Sequence, residues 1–376
     1  MSSPLQSTLL GLFLVLAVFT FSTAEEFEVD CPPERGEDCG VYKPYSFKLS
    51  VSPVGGYNSN VISQGDGLPL PQGVLHQDAG FFEIGGAATF DWKAPPVGRL
   101  VYDQFTASYE YTQDFYEGIS GYDLGQHSWT ARYIHLFDEQ WSYKVEANDT
   151  YSTFDGHSYS NKVSFSPALD FDAAKCPKKP CGEQCPIGTF AKELTTELKF
   201  SSATSDVFFA ASIPERNADA NNYGLELSEA FSPKSYDVAR FKVSFMHFWN
   251  DAEGSDYDYR RNRLLFSAET RFSKCTTNRW FDLKATVKYF HDFDDYDHRN
   301  SHAGPTGFGF KRHDGKNDFG TTLSFDVYKY NDGSSKFAVN AKYHYLRDNS
   351  DVAFFNYGQH IVQAGCTLTF DDLKWR

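Results

Sequence analysis

Arg263-Leu-Leu-Phe-Ser-Ala-Glu-Thr-Arg-Phe272 decides how the rest of the chain is read. Leu264, Phe266, Ala268, Thr270 and Phe272 fall on one side of an extended backbone, and Arg263, Ser267, Glu269 and Arg271 on the other, which is the period of two that marks a strand. The pattern recurs downstream. Phe281, Leu283, Ala285, Val287 and Tyr289 oppose Asp282, Lys284, Thr286 and Lys288. Phe319, Thr321, Leu323, Phe325 and Val327 oppose Thr322, Ser324 and Asp326. Phe337, Val339, Ala341, Tyr343 and Tyr345 oppose Asn340, Lys342 and His344, and Val362, Ala364, Cys366, Leu368 and Phe370 oppose Gln363, Thr367 and Thr369. Each segment has about the nine to eleven residues that a tilted strand needs to cross a bilayer.

Such alternation also suits a soluble antiparallel sheet with one wet face. Soluble strands are nearer five or six residues, however, and their outer faces are seldom this uniform. One wholly apolar face and one face with charges of both signs fit a closed barrel with lipid outside and water inside.

Working back towards the start, similar segments begin at Tyr45 and bring the total to about fourteen, an even number that returns both ends of the barrel to one side of the membrane. The expected fold is therefore all-β: a single antiparallel up-and-down transmembrane β-barrel over residues 45–370. Long outer loops and short periplasmic turns are expected, with the longest outer loop from Asp292 to Asn317. Pro167 falls inside the sixth segment and predicts a bulge there.

The same alternation sends charges to the predicted lumen. Glu110, Arg132, Lys144, Glu146, Glu197 and Lys199 come from the first half. Lys242, Arg263, Glu269, Arg271, Asp282, Lys284, Lys288, Asp326 and Lys342 come from the second. Opposite charges can pair across strands and line a hydrated passage.

Around the barrel, Leu9 to Phe21 form a short apolar run followed by Ser22, Thr23 and Ala24, which reads as a signal peptide over residues 1–24, although no Lys or Arg precedes the run. Residues 25–44 read as a short periplasmic lead-in and 371–376 as a tail. Of the seven cysteines, Cys31 and Cys39 are spaced for a small disulfide loop in an exported protein, and Cys176, Cys181 and Cys185 lie close together. Three cysteines without a fourth ligand do not make a structural zinc site.

The chain has 376 residues, a net charge of −15 and 17% aromatic residues. That charge disfavours nucleic acid as a partner; acidic loops would raise the local concentration of cations. No phosphate-cradling glycine loop, zinc-protease helix or nucleophile elbow is present, so neither catalytic residues nor a cofactor are expected. His291, His298, His302 and His313 beside Asp292, Asp294, Asp295 and Asp297 admit a divalent-cation site, but a solvated acidic loop accounts for them better.

Several stretches resemble the C-terminal barrel of a bacterial outer-membrane group that includes the surface lipoprotein assembly modifiers and related tetratricopeptide-linked proteins. They are Asp155-Gly-His-Ser-Tyr-Ser-Asn161 with Ser164-Phe-Ser-Pro-Ala-Leu169, Gly254-Ser-Asp-Tyr-Asp-Tyr259, and Asn356-Tyr-Gly-Gln-His-Ile-Val362. The chain departs from that group in lacking the helical repeats, and it runs past Phe370, the aromatic residue that the barrel-assembly machinery would recognise. The expected function is a non-catalytic, porin-like channel or transport component of the bacterial outer membrane, surrounded by outer-membrane lipid and passing small solutes. The alternatives are a secreted soluble β-sheet protein that binds, for example, carbohydrate, and an outer-membrane barrel enzyme.

Overall fold

The computed structural model describes residues 44–64, 68–71, 76–95, 102–119, 121–138, 140–173, 191–208, 213–233, 239–271, 282–304, 306–329 and 335–371. Fourteen strands follow one another: β1 (Tyr45–Asn58), β2 (Ala79–Lys93), β3 (Asp103–Tyr116), β4 (Leu124–Leu136), β5 (Trp141–Phe154), β6 (His157–Asp172), β7 (Ala191–Val207), β8 (Ala220–Pro233), β9 (Ala239–Ala252), β10 (Tyr259–Arg271), β11 (Asp282–Arg299), β12 (Lys311–Lys329), β13 (Ser335–Ser350) and β14 (Tyr357–Asp371). Each pairs antiparallel with its neighbour in sequence, and β1 pairs with β14, so the sheet closes on itself. A single closed sheet rules out two stacked sheets burying their apolar faces against each other.

Burial runs opposite to that of a soluble protein. On β8, Leu227 is 54% exposed while Ser228 beside it is 4% exposed; on β9, Phe245 is open while Ser244 is buried. Val51, Phe165, Leu198, Phe266, Val287, Leu323 and Val362 continue the exposed apolar face around the ring. A contiguous apolar surface of this extent needs a non-aqueous solvent, and a closed ladder lets strands enter hydrocarbon without unpaired backbone groups. Toward one rim, the outer face carries hydrogen-bonded His, Tyr and Asn pairs: Tyr109 with His127 at 2.8 Å, His247 with Asn262 at 2.7 Å, His291 with Asn317 at 2.8 Å and Tyr343 with His360 at 2.9 Å. Toward the other lie Trp141 against Phe171 and Phe231 against Phe241. Two such belts mark the interfaces of a membrane barrel.

Two expectations change. Pro167 pairs with Val145 in unbroken register, and the irregularity on this hairpin lies between Ser152 and Thr153 instead. A proline removes one N–H, and here the rungs opposite β7 at residues 166 and 167 are missing while the register is kept. The second concerns the loop expected from Asp292 to Asn317. Residues 282–299 and 311–329 are strand, and only 300–310 connect them. Strands of 18 and 19 residues exceed what a bilayer requires, so this hairpin projects beyond its neighbours.

The connections β7–β8, β9–β10, β11–β12 and β13–β14 share the rim with the His and Tyr belt. Three of them carry short 3-10 turns, at Pro214–Arg216, Ser255–Tyr257 and Ala353–Phe355. Among the described residues no helix is long and apolar enough to cross a membrane; crossing by strands is a separate matter.

Candidate functional site

Arg261-Asn-Arg263 and Asp292-Phe-Asp294 each place two like charges on one face of a strand. The β10–β11 register then sets Arg261 opposite Asp294 and Arg263 opposite Asp292. Both pairs are two-pronged. Arg261 donates from Nε and Nη2 to the Asp294 carboxylate at 2.6 and 2.7 Å, and Arg263 does the same to Asp292 at 2.7 and 2.7 Å. Planar forks matched this way fix orientation as well as charge. Aromatic rings hold the guanidinium planes further: Arg261 lies 5.1 Å from the Tyr259 ring centroid and Arg263 4.2 Å from that of Phe290. The cations reach the lumen and the anions do not. The Arg261 and Arg263 side chains are 17% and 25% exposed, against 0% and 1% for Asp294 and Asp292.

β12 and β13 extend the network. Lys316 lies 3.6 Å from Asp294 and 3.4 Å from Asp348. Arg312 donates from Nε to Asp314 at 2.8 Å and from Nη2 to its second oxygen, and it sits between the rings of Tyr296 at 4.6 Å and Phe355 at 3.4 Å.

The rim loops close over this cluster. Asp256 of the β9–β10 connection accepts the Ser301 backbone N–H at 2.7 Å and the Ser301 hydroxyl. Arg216 of the β7–β8 connection donates from Nε to Ser301 Oγ at 2.9 Å. His302 stacks on Phe354, with ring centroids 4.7 Å apart and planes 10° apart. Burial, with a smaller contribution from the Arg216 guanidinium, lowers the pKa of His302 and favours its neutral form; burial raises that of Tyr257. Gly254 has no room for a side chain, because a Cβ there would meet the backbone nitrogen of Asn217 at 2.5 Å and the Glu215 carbonyl oxygen at 2.7 Å. Through these contacts the β7–β8, β9–β10, β11–β12 and β13–β14 connections are packed together at this rim.

Deeper in the barrel a second ladder crosses the strands. Lys144 bridges Asp170 and Glu197 at 2.6 Å each, and Lys242 lies 3.7 Å from Glu197 and 3.6 Å from Glu226. Arg132 donates from Nε to Glu146 at 2.8 Å, and Lys284 lies 3.0 Å from Glu269. Of the residues named from the sequence, Arg132, Lys144, Glu146, Glu197, Lys242, Arg263, Glu269 and Lys284 are thus brought into ion pairs. Asp326 pairs with Lys336 at 2.7 Å. Glu110, Lys199, Arg271, Lys288 and Lys342 occupy the same face by register and stand outside the ion pairs formed among the described residues. Asp282 stands opposite Asp326 in the backbone ladder.

Sequence reasoning missed Arg261, Asp294, Arg312, Asp314, Lys316 and Asp348. By composition Asp292 and Asp294 belong to an acidic loop with His291. Alternation separates them instead: His291 faces outward to Asn317, and Asp292 faces inward to Arg263. His298 pairs with Asp258 and His313 with Asp295. Among the described residues no three His, Cys, Asp or Glu side chains are arranged to hold a metal ion. Cys31, Cys39 and the three clustered cysteines lie outside the described residues, and Cys366 is a free, half-buried thiol.

No protein-family model matches the chain, and no curated protein matches it. The resemblance to surface lipoprotein assembly modifiers therefore finds no support in these comparisons. Among solved structures, the chain is similar to OccAB3 of Acinetobacter baumannii (7% identity, 87% of this chain and 99% of that chain covered, TM-score 0.41). It is similar also to the outer membrane channel DcaP of Acinetobacter baumannii (10% identity, 87% and 96% covered, TM-score 0.41). A third is OprD of Pseudomonas aeruginosa (8% identity, 88% and 96% covered, TM-score 0.39). At these scores nothing about activity passes from them to this chain.

Proposed function

We propose that the chain is a porin-like channel of the bacterial outer membrane, passing small solutes through a charged lumen without a catalytic step. One observation carries the reading: exposed apolar side chains run around an entire closed ring, and on β8 and β9 they alternate with buried serines, as in the Leu227 and Ser228 pair. Such a wall is stable only with hydrocarbon outside and polar groups inside. A fourteen-stranded ring is wider than the eight-stranded barrels whose interior side chains fill the space. The interior charges are cross-linked into ladders along the wall, and the rim loops are tied to one another through Arg216, Asp256 and His302. Outer-membrane lipid and the barrel-assembly machinery, through the closing strand β14 and Phe370, are its expected partners.

The test is single-channel recording of the purified full chain in planar bilayers, with gel mobility before and after boiling as the control for a folded barrel. Stepwise current together with faster migration when unheated is expected. A folded, heat-modifiable protein that passes no current over a range of voltages would reject the channel reading.

A further inference from the structure

Gly86 and Ala88 fall where alternation turns side chains toward the outer face, and between Ile84 and Phe90 they leave β2 almost bare. The register sets Gly86 beside Val51 of β1 and Tyr111 of β3, and Ala88 beside Leu49 and Tyr109. The result is a hollow of about 460 Å³ in the outer wall, with Gly86 and Ala88 as its floor, Leu49 on one side and Tyr109 and Tyr111 on the other. Two strand spacings, about 10 Å, separate the two sides. The aromatic side leans away from the floor and toward β4. Tyr109 bonds to His127 at 2.8 Å and packs on Trp129 with ring centroids 4.1 Å apart, and Tyr111 packs on His127 at 4.8 Å. His127 stands opposite Tyr111, at the end of the hollow nearer the belt of His, Tyr and Asn pairs.

We propose that this hollow binds a lipid with a phosphate headgroup, one acyl chain lying over Gly86 and Ala88 and the phosphate meeting His127. The occupant follows from where the hollow opens and from its one polar end. It lies on the face where Val51, Phe82 and Ile84 are exposed, so what enters it comes from hydrocarbon; left empty, its lining would forfeit dispersion contacts. A neutral imidazole has one donor nitrogen and one acceptor. With the Tyr109 hydroxyl donating to Nδ1, the ring proton sits on Nε2, which has no hydrogen-bond partner among the described residues and is left to donate to an anion. A second copy of the chain fits less well. In a two-fold dimer a patch meets itself, and a hollow does not fill a hollow. The site rests on the apolar face meeting lipid and is independent of whether the barrel conducts.

Native mass spectrometry of the full chain, released from detergent after mixing with phosphatidylglycerol or with diacylglycerol of the same acyl chains, tests the site. One phosphatidylglycerol should survive activation that strips the rest, and it should be retained about tenfold more than diacylglycerol, the size of one charge-assisted hydrogen bond. Gly86→Leu and Ala88→Leu fill the floor, and each should lower retention several-fold. A Cβ at Gly86 meets nothing nearer than the Ser50 carbonyl oxygen at 3.8 Å, so the filled barrel should stay heat-modifiable. His127→Phe keeps the aromatic side and removes the donor, and should bring the two lipids to equal retention. A wild-type chain that keeps no lipid, filled variants that keep it, or equal retention of the two lipids by the wild type overturns the site. An oligomer that Gly86→Leu disperses assigns the hollow to a second copy and overturns it as well. Retention by a chain that passes no current leaves the site standing and ends the channel reading.

Discussion

Asp292 and Asp314 are equally hidden, yet replacing them should not cost the same. Each holds an arginine through both carboxylate oxygens, and the two arginines differ in their access to water: the Arg263 side chain is 25% exposed and that of Arg312 is 4% exposed. Asp314→Leu strands Arg312 between two aromatic rings, with its neighbouring carboxylate Asp348 already facing Lys316 at 3.4 Å. Breaking a buried pair by removing one partner costs about 3–5 kcal/mol. Asp292→Leu instead frees a guanidinium that can turn into lumenal water. Its two charged hydrogen bonds, each about 1.5–3 kcal/mol, are largely recovered by hydration, leaving a loss of about 1 kcal/mol. Arg312→Met with Asp314→Leu removes both charges and should recover most of the loss. Urea titration of the chain folded into phospholipid vesicles, read by tryptophan fluorescence with the slope held common, gives all three values. Equal costs for the two single variants would refute the reasoning, as would a double variant no more stable than Asp314→Leu.

Three further outcomes follow from the same geometry. Leu227→Arg, near the middle of β8 on the exposed face, should lower stability in bilayers by about 2–4 kcal/mol; a loss below 1 kcal/mol would mean that this face does not meet lipid. Gly254→Ala should separate the β7–β8 and β9–β10 connections, because its Cβ collides with backbone at Asn217 and Glu215, and protease cleavage in those loops should rise while the barrel stays heat-modifiable. His302 has its pKa lowered by burial and then by Arg216, so folding favours the neutral ring. Its contribution is complete above the ordinary value of about 6.5 and is lost as pH falls through that value toward the lower folded one. Hydrogen exchange at residues 300–304, corrected for intrinsic rate, should therefore quicken at pH 5 relative to pH 7.5, and His302→Gln should abolish the difference.

The strands were legible because lipid and lumen impose opposite chemistries on neighbouring residues, and Leu264 to Phe272 or Phe337 to Tyr345 show that contrast without interruption. The network at the rim was not. Asp292-Phe-Asp-Asp-Tyr-Asp297 has the composition of a loop, and its carboxylates become wall residues only because Arg261 and Arg263 stand opposite them on the previous strand. That pairing depends on hairpin register, which local composition does not encode. The same limit applies to His302 on Phe354 and Asp256 on Ser301, contacts between loops far apart in sequence. A signal was available in the matched spacing of Arg-x-Arg and Asp-x-Asp across the turn. Pro167 misled in the other direction, since a missing donor can cost a rung without moving the register.

The first strand's partner is the last one to be made. Gln359 donates to Asn58 across 301 positions of sequence, at 3.0 Å, and until β14 arrives β1 has an open edge. In hydrocarbon, each unanswered backbone group on such an edge costs several kcal/mol. Insertion and closure are therefore coupled. A chain that stops before Tyr357 would be excluded from the bilayer altogether, and its synthesis must finish before its membrane life begins.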